Sequence, residues 1–312
     1  MFFITNLLLS GKMFADSSKG LRLVLLAAGI SGFSIFVNKI MVGGFSDPYL
    51  FTTVKNVLVA ALLAGIVIPM GRHKELFALK LGSWARLAAI GVVGGGIPFL
   101  LFFKGLSMTS ASSGAFIQKT MFLYVGFIAL VFLKERLNLK HLAFAIVLLT
   151  GNAVAVGLNV YTVNAGDVLV LAATLLWALE TVLAKKALEE VSPSIVACAR
   201  MAFGSAIMLA FLGLTGRLGL VSQITGQQAL ITVVSAAILA GYVLTWFHGL
   251  KHLSAFSATA ILFLGSPVTT ALSALFLKAA IPAGEIAGGL IVLAALALYL
   301  KAETPSVASQ TA

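Results

Sequence analysis

The chain has 312 residues, 60% of them hydrophobic and only 10% charged, with a mean hydropathy of +1.09. A soluble domain carries about 25% charged residues, which excludes a soluble enzyme, and the single cysteine, Cys198, excludes an intramolecular disulfide framework. The net charge of +11 would point to nucleic acid in a soluble protein, but here most of it falls between apolar runs long enough to span a bilayer, about 20 residues each.

Only helices or closed barrels satisfy their backbone groups in lipid. The period-two alternation of barrel strands is missing, so the expected fold is an all-α membrane protein. The opening MFFITNLLLSG lacks the basic start of a signal peptide, and residues 1–20 read as a floppy or interfacial lead-in. Ten transmembrane helices follow, at roughly 21–42, 47–70, 84–105, 109–133, 139–158, 166–186, 192–214, 229–250, 256–278 and 283–301. The longest loops, 71–83 and 215–228, leave no room for a soluble domain, and 302–312 reads as a tail.

In helix 1, Ser31, Ser34 and Asn38 form one polar stripe, which serves either helix packing or ligand contact. Helix 2 carries Lys55, and helix 3 carries GVVGGGIP (91–98), a kink and close-packing signal. Its spacing fits neither a Walker nor a dinucleotide fingerprint. Helix 4 holds Gln118 and Lys119 near its middle. Trp177 and Glu180 share a face of helix 6, Arg200 lies in helix 7, and Tyr242 and Trp246 share a face of helix 8.

A charge at a helix centre costs about 2.5–3.5 kcal/mol even on the insertion scale. Lys55, Lys119 and Arg200 lie about 12–15 Å along their helices at roughly 1.5 Å per residue, too deep to reach the surface comfortably. Such charges face a bundle interior or an aqueous cavity. Three cations meet one acid, Glu180, which can neutralise Arg200 or Lys119. An anionic substrate is the simplest compensator for the rest. Lys119 is therefore read as an anion ligand, with an ion pair to Glu180 and a titrating lysine as the alternatives. Lys55 and Arg200 have structural or gating roles as alternatives to ligand contact, and Glu180 has proton coupling as its alternative to a counter-ion role. Trp177, Tyr242 and Trp246 line a pocket or fill core. Lys39, Lys104, Lys185 and His248 read as interfacial anchors or gate residues.

The two halves resemble each other. FFKGLSMTSASSGAFI (102–117) aligns with WFHGLKHLSAFSATAI (246–261), and SDPYLFTTVK (46–55) with VSPSIVACAR (191–200). GFSIFVNK (32–39) aligns loosely with ALETVLAK (178–185). Five helices per repeat force the second half to insert upside down, the arrangement of transporters with a midplane site. The first repeat is expected at 21–158 and the second at 166–301.

LSMTSASSGA (106–115), FLKERL (132–137), their counterpart LKHLSAFSAT (250–259) and GSPV (265–268) carry a more specific likeness. The chain resembles the drug/metabolite transporter superfamily, EamA type, from about 21 to 301. The resemblance implies ten helices in two inverted five-helix repeats, no cofactor, and small-metabolite transport by alternating access. Two departures stand out: helix 4 reads QKTMF (118–122) where the family has a mid-helix proline, and Ala279 stands where it often has Glu.

The expected function is a secondary transporter of a small organic anion, carboxylate or phosphate, in the cytoplasmic membrane. An amino-acid or drug exporter of the same family is the alternative. A membrane enzyme is disfavoured because no HExxH, GxSxG or carboxylate cluster occurs, and no metal site is expected. Expected partners are the substrate, the lipid bilayer, a coupling proton or counter-substrate and a homodimeric second copy, with no nucleic acid. Of 21 Lys and Arg, four lie within helices, Lys104, Arg217 and Lys278 fall on one side and the other fourteen opposite them, which puts both termini in the cytoplasm.

Overall fold

The computed structural model describes residues 2–42, 45, 47–109, 111–157, 163–278 and 280–303, and within them all side chains but those of 2–17, 39–42, 111, 112, 115, 277 and 300–303. Among the described residues there are ten long helical elements and no strand. They are α1 (Phe2–Val42), α2 (Pro48–Val67), α3 (Leu81–Leu106), α4 (Ala111–Lys119 and Met121–Phe132), α5 (Leu139–Val156), α6 (Ala165–Ala187), α7 (Pro193–Leu214), α8 (Gly226–His252), α9 (Ala255–Ile261 and Gly265–Leu277) and α10 (Ala283–Glu303). Eight are long and apolar enough to cross a membrane, and α4 and α10 add the shorter apolar stretches Phe116–Phe132 and Ala283–Tyr299. The fold is that of an all-α, ten-helix membrane protein. Most boundaries shift by a few residues, and the start of α1 shifts furthest: it begins at Phe2, so the lead-in is continuous with the first span. Residues 304–312 of the expected tail, Ala279 and the Lys39 side chain lie outside the described residues.

Local chemistry starts and stops these helices. The Asp47 carboxylate accepts the N–H groups of Tyr49 and Leu50 at 2.8 and 3.2 Å, with Pro48 in the first turn of α2. Asn138–His141, Asn164–Asp167 and Thr225–Gln228 form capping boxes at the starts of α5, α6 and α8. After α2 and α7 come Gly71 and Gly216, with φ of 69° and 68°. The following Arg72 and Arg217 N–H groups donate back to Val67 and Leu212 at 3.1 and 2.8 Å, closing the same left-handed cap at both ends. Lys134 and Lys278, with φ of 56° and 50°, end α4 and α9 in the same way. Each pair sits at the offset of the sequence repeat, so the repeat is written into the backbone.

Packing follows the same symmetry. Helix α1 lies on α8 and α9, while α6 lies on α3 and α4; α2 pairs with α7 and α5 with α10. Exchanging each helix for the one five places on returns the same contacts, as an inverted repeat requires. Asn56 Nδ2 donates to Met208 Sδ at 3.2 Å and sets the register of the antiparallel α2–α7 pair. At one end of the pair Arg217 bonds Asp47 at 3.2 Å; at the other, Glu75 accepts the Ser192 N–H at 2.6 Å. Near that second end, the Ser83 hydroxyl and then Arg86 hold the Glu190 carboxyl below the usual carboxylate range.

Helices α3, α4 and α9 are not continuous α-helix. Gly91–Gly96 forms a π-helical turn inside α3. Helix α4 breaks at Thr120, whose hydroxyl donates to the Ile117 carbonyl at 2.6 Å, so the helix is interrupted without a proline. Helix α9 tightens to a 3₁₀ turn at Leu262–Leu264, the repeat-equivalent position, ahead of Pro267.

The glycines of α3 bring it to backbone distance from α7. A Cβ on Gly95 would meet the Arg200 carbonyl, and one on Gly204 would meet the backbone of Gly95. Gly95→Ala and Gly204→Ala should each destabilise by about 1–3 kcal/mol, the usual cost of overpacking. Gly65→Ala, which meets nothing within 4 Å, should be neutral or slightly stabilising. Thermal unfolding of the three variants in detergent measures this directly.

Candidate functional site

A cavity of about 220 Å³ opens between the two halves. Of the nine residues singled out from the sequence, eight line it: Asn38 on α1, Lys55 on α2, Gln118 on α4, Trp177 and Glu180 on α6, Arg200 on α7, and Tyr242 and Trp246 on α8. Lys119 is not among the lining residues. Its ammonium lies 4.9 Å from the ring centroid of Phe263, the residue that occupies its own position in the other repeat. Gln118 lines the cavity and Lys119 does not, because adjacent helical residues point about 100° apart.

The acid Glu180 pairs with Arg200 and not with Lys119. Arg200 Nε is 3.3 Å from Glu180 Oε1, and both side chains are buried. Oε1 has no aligned hydrogen bond among the described residues, so the contact is an ion pair only. Arg200 gains its hydrogen bond elsewhere: NH2 donates to the Gly94 carbonyl at 2.9 Å, and the Trp177 indole donates to the same oxygen at 3.1 Å. That oxygen is available because the residue four places on is Pro98, which has no N–H to give it. Glycine is required at 94 because a Cβ there would run into Cγ of Glu180. The π-helical turn, the proline and the glycines thus build the seat of Arg200.

Lys55 is the repeat counterpart of Arg200, and its surroundings differ. It is buried and lines the cavity, 4.9 Å from the Phe51 ring. Among the described residues it has no ion pair and no hydrogen bond. The position that carries Glu180 in the second repeat is Ser34 in the first, by the alignment of 32–39 with 178–185. One repeat therefore neutralises its cation and the other leaves it uncompensated. The two cations come from different levels of the α2–α7 pair. Asn56 beside Lys55 faces Met208, and Arg200 lies eight residues from Met208, about 12 Å along α7 at roughly 1.5 Å per residue.

Asn38 is held from two sides: Ser235 Oγ donates to its Oδ1 at 2.8 Å, and its Nδ2 donates to Ser34 Oγ at 3.3 Å. The aromatic wall is larger than the sequence reading gave it. Phe99 and Phe102 sit 5.5 and 5.2 Å from the Trp177 ring, and Phe103 joins them on the lining. Their helical spacing after the glycine run was the signal available for them. Ser235, which orients Asn38, carries no signal in the sequence at all.

Two side chains tie helix ends near one mouth of the bundle. The Glu135 carboxylate, in the FLKERL segment, accepts the N–H groups of Ala255 and Phe256 at 2.7 and 3.5 Å and caps α9. Lys185 Nζ donates to the carbonyls of Leu250, Lys251 and Leu253 at 2.8, 3.1 and 2.6 Å, closing the end of α8. A second hollow, about 210 Å³ between α4 and α6, is lined almost wholly by apolar groups. Its one acid, Asp167, is spent on the α6 cap and on Thr109. Among the described residues no three His, Cys, Asp or Glu side chains come together.

Removing one member of the buried pair strands the other. Glu180→Gln and Arg200→Gln should each cost about 3–5 kcal/mol, with part of it recovered in the double variant. A double-mutant cycle by thermal or denaturant unfolding gives the coupling. Glu135→Ala should cost about 0.5–2 kcal/mol as the loss of a helix cap, read in the same way.

The chain is similar to known proteins along nearly its whole length. The model of the EamA-like transporter family matches it twice, at residues 18–157 and 164–301. The uncharacterized transporter YyaM of Bacillus subtilis (strain 168) is 25% identical over 278 residues, covering 84% of this chain and 89% of its own. A protein of known crystal structure superposes with a TM-score of 0.72 at 15% identity, over 93% of this chain and 99% of its own, a likeness of fold alone.

Proposed function

The chain belongs to the EamA-like transporter family and is a multi-pass membrane transporter, and we propose that it is a secondary transporter carrying a small organic anion through the cavity between its halves by alternating access. One observation carries the anion reading. The cavity holds Lys55 and Arg200 against the single acid Glu180, and Glu180 is already paired with Arg200. Lys55 is left as an uncompensated cation in a space walled by aromatic rings, where charge is expensive. A bound anion supplies the missing partner. The same arrangement moves the substrate-contact role from Lys119 to Lys55; Lys119, off the cavity, serves the break in α4, where its ammonium stacks on the matching break in α9.

The helix interruptions support alternating access. Helices α4 and α9 are broken at equivalent points, and α2 and α7 are tied at both ends by Asp47–Arg217 and Glu75–Ser192. Broken helices beside a fixed central pair are the parts that rocking of one repeat against the other uses. The Lys and Arg asymmetry favours the cytoplasmic membrane with both termini inside.

A thermal-shift screen of the purified transporter against carboxylates, phosphates, amino acids and amines tests the substrate reading, since a ligand that binds only the folded protein raises its apparent stability. Stabilisation by anions that is lost in Lys55→Met and retained in Lys119→Ala is expected. Stabilisation by amines or neutral drugs alone, unaffected by Lys55→Met, would replace the anion reading with an exporter of apolar or cationic compounds.

A further inference from the structure

Resting on the anion reading above, we infer that the cavity is shaped for a monocarboxylate with a flat apolar body, its head on Lys55, Asn38 and Ser34 and its body against the rings of α3, α6 and α8.

The head end presents donors. Ser235 donates to the carbonyl oxygen of Asn38, whose amide keeps one N–H beyond its bond to Ser34 to offer the cavity. The Ser34 oxygen accepts from Asn38, so what Ser34 offers is O–H. Lys55 has three N–H donors and no acceptor. A carboxylate, which only accepts, satisfies all three groups. An ammonium or the N–H face of an amide offers the Lys55 ammonium no acceptor.

Charge narrows the class further. Glu180 and Arg200 cancel, so Lys55 contributes one uncompensated charge. A carboxylate balances it. A phosphate monoester near its dianionic form overcharges the site in the opposite sense. A zwitterionic amino acid brings an ammonium whose one carboxylate partner on the lining, Glu180, is already paired with Arg200. The repeat shows the asymmetry: the first repeat has Ser34 where the second has Glu180, so one repeat presents an ion pair and the other a cation and a hydroxyl on the cavity lining.

The body is set by the walls. Phe99 and Phe102 pack around Trp177, and Tyr242 and Trp246 face them from α8. A cavity of about 150 Å³ lined by apolar groups takes benzene. The 220 Å³ here holds one ring plus a short acid.

Intrinsic tryptophan fluorescence of the full-length transporter in nanodiscs reads binding directly, because Trp177 and Trp246 line the cavity. The probes are phenylacetate, phenylacetamide, phenylalanine, phenyl phosphate and acetate. Phenylacetate is expected to bind, with each of the other four at least tenfold weaker. Lys55→Met and Asn38→Asp should abolish phenylacetate binding, and Lys55→Arg should keep it. The wild-type panel needs no variant to fold, and thermal unfolding checks the variants that are used. Tighter binding of phenyl phosphate, lost in Lys55→Met, would overturn the monocarboxylate inference and leave the anion reading standing. Tighter binding of phenylalanine would overturn the inference, and with it the charge accounting that underlies the anion reading. Phenylacetate binding that is unchanged in Lys55→Met and Asn38→Asp would overturn the assignment of the head site alone.

Discussion

A guanidinium buried in an apolar bundle has to be answered by a fixed anion and by fixed acceptors, and the centre of this transporter is arranged around that demand at Arg200. Glu180 supplies the charge and the Gly94 carbonyl supplies the acceptor. That carbonyl is available because Pro98 donates nothing to it. The approach is close because Gly94, Gly95 and Gly204 carry no side chains. The π-helical turn, the α3–α7 contact and the face that α3 turns toward Trp177 all follow from seating one side chain. Changes there are expected to spread, since the wall of the cavity and the counter-ion share the same few atoms.

The inverted repeat supplies the scaffold, and a departure from it underlies the proposed anion site. Left-handed caps at Gly71 and Gly216, and at Lys134 and Lys278, show how closely the halves match in backbone. The side chains on that backbone differ where it matters. Arg200 pairs with Glu180, whereas in the repeat of its counterpart Lys55 the position that corresponds to Glu180 is Ser34. A symmetric pair of ion pairs would leave a neutral core with nothing to attract a charged solute. With an acid in one repeat and a serine in the other, one cation is paired and the other is not, the physical basis of the proposed anion site.

The interruption of α4 is made without a proline. A proline in mid-helix removes a backbone donor; here Thr120 turns its hydroxyl on the Ile117 carbonyl and the helix breaks. The repeat partner breaks at Leu262–Leu264. Lys119 sits at the break and stacks on Phe263, so the two interruptions touch across the molecule. A lysine that looks like a ligand in a linear reading becomes part of the joint between two broken helices.

The class, the number of helices and the repeat were legible in the chain, because apolar runs of bilayer length and an offset self-similarity are properties of the chain alone. The sequence also marked the charged residues, since a buried charge stands out against an apolar background wherever it points. It named Glu180 with two partners to choose from and favoured Lys119 as the anion ligand. Which cation the acid takes, and which is left in the cavity, became visible once the helices were packed. The reason is angular and long-range. Gln118 and Lys119 differ by one residue and face different spaces, and the distances that pair Arg200 with Glu180 and Asn38 with Ser235 are set by how helices far apart in sequence cross. Periodicity along one helix carries no record of that crossing.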